Sequence, residues 1–129
     1  MPYSPLGRGF LAGGIDEHTT FDSNDNRGAI PRFAPEVRIA NLAIVELLHR
    51  LGQARRATAA QVSLAWLLAQ RPWISPIPGT TKLHRPDENI GAADLDLSAD
   101  DLAEIDREVA AVAIEGGRYP EAVERMTGI

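Results

Sequence analysis

Residues 3–14 read YSPLGRGFLAGG and residues 76–89 read PIPGTTKLHRPDEN, and these two stretches decide the fold. In the first, a short strand around residues 3–6 runs into a crowd of glycines, Gly7, Gly9, Gly13 and Gly14. Pro5 keeps that strand short, because a proline cannot donate to a sheet ladder. In the second, the apolar run WISPIPG (residues 73–79) is a strand candidate ended by a turn signal. Thr80 and Thr81 then offer hydroxyls, Lys82 a point charge, and Arg85 a planar fork suited to a phosphate monoester. Taken alone, this second stretch reads equally well as a solvated basic turn before a helix.

Between the two stretches the pattern is helical. Ile44, Val45, Leu48 and Leu51 share one face of a helix expected over residues 36–51, with Gly52 marking its end. Thr58 is a good N-cap for a second helix over residues 59–70. That helix is apolar around most of its circumference, as expected of one wedged between neighbours, with Trp66 in the core. A short helix is expected near Arg85, where Pro86 is tolerated in the first turn. Ser98 and Asp101 form a capping box for a last helix striped by Leu102, Ile105, Val109 and Val112. The final fifteen residues read as irregular. Strands separated by helices imply a parallel α/β sheet. Two strands cannot make such a sheet with both faces covered, so the chain reads as a piece of something larger.

Composition narrows the function. The chain has 129 residues, 13 Lys and Arg against 18 Asp and Glu, and a net charge of -5. That balance excludes generic nucleic-acid binding, which needs surplus cations to displace counterions. It leaves room for one small phosphorylated ligand. No cysteine is present, and His18, His49 and His84 lie far apart, so no metal site is expected. His49 is expected at the surface or half-buried, without a catalytic role. No apolar run approaches the roughly 20 residues of a membrane helix. The opening MPYSPLGRGF lacks the features of a signal peptide, and a cytoplasmic location is expected. The glycines do not make a dinucleotide fingerprint either: Gly7, Gly9 and Gly13 give GxGxxxG, and no helical pattern follows at once.

Taken together, YSPLGRGFLAGG, NDNRGAIPRF (residues 24–33), ATAAQVSLAWLLAQ (residues 57–70), PIPGTTKLHRPDEN and LSADDLAEID (residues 97–106) resemble the end of an aldo-keto reductase. The resemblance runs from the family's seventh barrel strand to its C-terminus and covers nearly the whole of residues 1–129. It implies an α/β fold, the C-terminal portion of a (β/α)8 TIM barrel, and therefore an incomplete barrel, since a full one takes about 250 residues. It also implies NADP(H) as cofactor. Tyr3 would stack on the nicotinamide; taken alone, it would be a strand-end tyrosine packing on its neighbours. Ser4, Leu6, Gly7, Arg8 and Gly9 would line the pyrophosphate. Gly79, Thr80, Thr81, Lys82 and Arg85 would surround the adenosine 2′-phosphate, with Glu88 and Asn89 reading the adenine. Residues 13–33 resemble the family's long connection over the cofactor, in which Asp25 and Arg27 match an acidic–x–Arg pattern. Asn26 and Pro86 depart from the family, which favours an aromatic and a Leu or Ile at those places. The RYPE stretch (residues 118–121) resembles the tail of some members and is assigned no chemistry.

The implied reaction is NADPH-dependent reduction of a small aldehyde or ketone to an alcohol. The family performs it with an Asp, a Tyr acid, a Lys and a His from the first half of the barrel. No residue of this chain matches them, so no catalytic residue is assigned and the chain alone is expected to be inactive. Two readings from other classes stand beside this one: a non-catalytic NADP(H)-binding or assembly module, and an inert truncated remnant. Open barrel edges would leave apolar surface exposed, so self-association and poor folding in isolation are expected.

Overall fold

The computed structural model describes residues 1–126. Among the described residues five α-helices run in chain order: α1 (Pro35–Arg55), α2 (Ala59–Gln70), α3 (Arg85–Ile90), α4 (Ala99–Ala111) and α5 (Glu121–Glu124). Single 3₁₀ turns punctuate the connections at Gly7–Gly9, Asn26–Ala29, Pro31–Phe33 and Gly91–Asp94.

The two expected strands do not form. Among the described residues the extended segments meet only in one parallel bridge between Tyr3 and Ile77, tied by the Ile77 N–H donating to Pro2 O at 3.3 Å. The physical reason is local. Pro5, Pro76 and Pro78 have no N–H to extend a ladder, and Ser4 already turns left-handed at φ 49°. The bridge still fixes direction: both segments run the same way, so the turns that follow them leave from the same end.

The helices form where the sequence places them, because their ends are chemically specified. Thr58 Oγ1 accepts from the Gln61 N–H at 3.2 Å, and Gln61 Oε1 accepts from the Thr58 N–H at 3.0 Å. Ser98 and Asp101 make the same reciprocal pair at the start of α4. Each cap contributes about 1 kcal/mol. Gly52 does not end α1, which runs on to Arg55 and stops where Arg56 adopts φ 54°. Gly52 is instead buried inside the helix, where an added Cβ would lie 2.5 Å from Ala57 O. The glycine lets the chain turn back tightly into α2.

Helix α2 is the wedge. Its Val62 and Leu64 are both fully buried, although two residues along a helix turn by about 200°. Val62 joins Leu47, Leu48, Leu51 and Ile105 in the core between α1, α2 and α4. Helix α2 also meets α3 and the Gly91–Asp94 turn. Trp66 is half-buried rather than in the core. It packs against that cluster's rim, and its Nε1–H donates to Asp106 Oδ1 at 3.0 Å. A second core gathers Phe10, Ile15, Ile30, Phe33 and Val45 beneath the long connection.

Candidate cofactor site

The first loop turns on its own backbone. Gly7 and Gly9 take φ 56° and 95°, and their N–H groups donate to Ser4 O at 2.9 Å and Leu6 O at 3.0 Å. The glycines therefore shape the turn rather than present their own N–H groups outward. Arg8 between them is also left-handed at φ 56°. Its guanidinium lies 5.3 Å from the centre of the Tyr119 ring.

The second loop, leaving beside the first because of the Tyr3–Ile77 bridge, is open. Nothing lies within 4 Å of where a Gly79 Cβ would stand. Thr80, Thr81 and Lys82 are exposed, and Thr80 Oγ1 accepts from the Lys82 N–H at 3.1 Å, closing a small turn. Arg85 Nη1 pairs with Glu88 across one turn of α3 at 2.7 Å. Asn89 follows, half-buried. The bridge thus places both groups of expected cofactor residues at one end of the molecule.

The long connection is anchored to the first loop. Arg27 pairs with Asp25 through Nε and Nη2, with contacts from 2.6 Å to 3.1 Å, and its Nη1 donates to Arg8 O at 3.2 Å. Phe21 lies between two cations, with Arg27 5.0 Å and Arg38 5.4 Å from its ring centre. Buried Arg38 donates from Nη1 to Thr19 O at 2.6 Å and Asp16 O at 3.1 Å. Asn26, the departure from the family pattern, is exposed and opens the Asn26–Ala29 turn, while Asp25 caps it.

The Arg27 side chain, and then the Arg27 N–H, hold the Asp25 carboxyl down at about 2, below the usual carboxylate value near 4. A depressed folded value means that this contribution is present above about pH 4 and is lost as pH falls toward 2. The Arg27 Nε–H resonance should therefore stay protected from solvent exchange while Asp25 is ionised and lose protection as pH falls through about 2. Asp25→Asn should abolish the protection at every pH. A resonance already unprotected at pH 4, or unaffected by the substitution, would show that the pair does not hold this loop.

Residues missed at the sequence level also meet here. Tyr119 Oη donates to Tyr3 Oη at 2.8 Å, and the Arg118 guanidinium stands 4.7 Å from the Tyr3 ring centre. The tail is thus in contact with Tyr3 and is not irregular throughout, since α5 follows it. Arg38 and Asn41 were legible in principle: they fall on the same stripe of α1 as Val45 and Leu48, where a polar residue must find a partner. A cavity of about 320 Å³, lined among others by Tyr3, Phe10, Leu48, Trp66 and Tyr119, lies beneath these contacts.

With this pair of parallel segments, each leaving into a turn rich in Gly, hydroxyl and basic residues, the chain belongs to the aldo/keto reductase family, whose profile matches residues 1–110. Among curated relatives it is 42% identical over 128 residues to probable aldo-keto reductase 1 of Glycine max, covering 98% of this chain and 36% of that protein. It is 40% identical over 118 residues to aldo-keto reductase str7 of Strobilurus tenacellus, covering 92% and 35%. The same figures hold for aldo-keto reductase yakc of Schizosaccharomyces pombe, whose name carries NADP(+). The chain spans about a third of the length of these relatives. No helix among the described residues is long and apolar enough to cross a membrane.

Proposed function

We propose that this chain is the cofactor-holding end, the C-terminal part of the (β/α)8 barrel, of an NADPH-dependent aldo-keto reductase that reduces small aldehydes or ketones. The observation that carries this reading is the parallel Tyr3–Ile77 bridge, which brings the YSPLGRG and PGTTK turns to one end of the molecule. Bound NADPH would supply a hydride. Tyr3 would orient the nicotinamide by stacking, and Ser4 and Arg8, with the turn at Leu6, Gly7 and Gly9, would face the pyrophosphate. The residues fit such a group in shape and charge: the Gly79 turn is open, and Lys82 is exposed beside it. Arg85 would share its guanidinium between Glu88 and the 2′-phosphate, and Asn89 would face the adenine. No residue of this chain is given the proton-donating role, so the chain by itself is expected to turn nothing over. Apolar side chains exposed around the second turn, among them Trp73, Ile77, Leu83 and Ile90, are where self-association through open barrel edges would occur.

Thermal unfolding of the chain with and without NADPH tests the reading. Ligand at about 100 times its dissociation constant should stabilise a folded binder by roughly 2.7 kcal/mol. A cooperative melt that NADPH raises, with no turnover of a test aldehyde, is the expected result. A cooperative melt that NADPH leaves in place would remove the cofactor assignment.

A further inference from the structure

Residues 115–119 form a strap fastened to the body through its backbone. Asn41, 2% exposed, donates from Nδ2 to Glu115 O at 3.0 Å and accepts from the Glu115 N–H at 3.0 Å. Next to it Gly116 sits at φ 79°, and a Cβ there would meet Arg32 Cα and Val37 Cγ1 at 2.8 Å. Arg32 donates from Nε and Nη2 to Gly116 O, both at 3.2 Å. A buried side chain of α1 that both donates to and accepts from one residue's backbone, and a glycine that alone fits the next position, make the strap a built part of the fold.

The strap delivers two groups to Tyr3. Tyr119 donates its hydroxyl to that of Tyr3 at 2.8 Å, and Arg118 places its guanidinium 4.7 Å from the Tyr3 ring centre. Arg8, from the first loop, stands over the Tyr119 ring at 5.3 Å. A fixed positive charge therefore lies against the one ring proposed to carry the nicotinamide. The two states of that cofactor differ at this place by a unit charge: the oxidised nicotinamide ring is cationic and the reduced ring is neutral.

We infer that Arg118, held by the strap, sets the redox-state preference of the site, disfavouring NADP⁺ relative to NADPH. The inference rests on the assignment of Tyr3 to the nicotinamide. Arg118 is a specificity-determining residue here and takes no part in hydride transfer. Repulsion between two unit charges about 7 Å apart, at a dielectric between protein and water, corresponds to roughly a threefold to tenfold preference.

Calorimetric titration of the 129-residue chain with NADPH, NADP⁺ and adenosine 2′,5′-bisphosphate tests it. Arg118→Gln should tighten NADP⁺ relative to NADPH by roughly threefold to tenfold and leave the bisphosphate, which has no nicotinamide, unchanged. Arg118→Lys, which keeps the charge, should retain the parental ratio. Raising salt to about 1 M should shrink the parental preference, because screening then acts within about 3 Å. A Gln variant whose two cofactor affinities move together, or do not move, overturns the inference and leaves the cofactor assignment standing. A parent chain that binds none of the three ligands overturns both. Arg118 is exposed, so the substitutions remove no buried packing, and a melt matching the parent's checks this directly.

Discussion

Lys82→Ala combined with Arg85→Ala is expected to weaken NADPH binding by a hundredfold or more while changing NADH by no more than about threefold. Each charged hydrogen bond to a phosphate contributes roughly 1.5–3 kcal/mol, and the two cofactors differ only in the 2′-phosphate. The two side chains are not equivalent. Lys82 is exposed, at the end of an open turn. Arg85 already holds Glu88, whose side chain is 15% exposed, so removing the arginine leaves a largely buried carboxylate without that partner. Lys82→Ala alone should therefore give a clean loss of the 2′-phosphate contribution. Arg85→Ala should also soften α3, and pairing it with Glu88→Gln separates the two effects. Titration of both cofactors against each variant reads the result. Equal losses for NADPH and NADH would mean that these cations do not meet the 2′-phosphate.

Leu64→Ala is expected to destabilise the chain by about 2–5 kcal/mol, the range for buried leucines whose surroundings relax only partly. Leu64 is 1% exposed and lies on the side of α2 turned away from the Leu47–Leu48–Leu51 cluster. Its loss would open a void at a fully buried position of the helix that packs on α1, α3 and the Gly91–Asp94 turn. Small domains have only about 5–15 kcal/mol of stability in total, so the variant should melt far below the parent or not cooperatively at all. Urea titration followed by circular dichroism gives the value. A loss under about 1 kcal/mol would mean that α2 is not the wedge described.

The helices were readable because their signals are local. Thr58 and Ser98 specify N-termini through atoms three residues away, and the starts of α2 and α4 follow from such atoms, while α3 starts with Pro86 in its first turn. The strands were not readable in the same way. Their existence depends on neighbours that must pair with them, and among the described residues Tyr3 and Ile77 have only each other in a bridge. Gly52 misled for a related reason. A glycine after an apolar stripe resembles a stop signal, but this one is required by the close return of Ala57, a contact created by the tertiary fold. The RYPE stretch was assigned no chemistry because Arg118 and Tyr119 carry no periodicity; they matter through Tyr3, 115 and 116 positions away. The two turns proposed to hold the cofactor were legible as motifs. That they lie side by side was not, since it rests on the bridge.

The way in which Arg38 fastens the long connection has a consequence for how such a chain can change over generations. Its guanidinium hydrogen-bonds the main-chain carbonyls of Asp16 and Thr19, and the one side chain of that segment it lies over is the half-buried Phe21 ring. Every amino acid supplies the same carbonyl, so exposed Glu17, His18, Thr20, Asp22 and Ser23 can be exchanged without loosening the hold. The segment can acquire new surface chemistry while its path stays the same, which separates the invention of a new specificity from the maintenance of the fold.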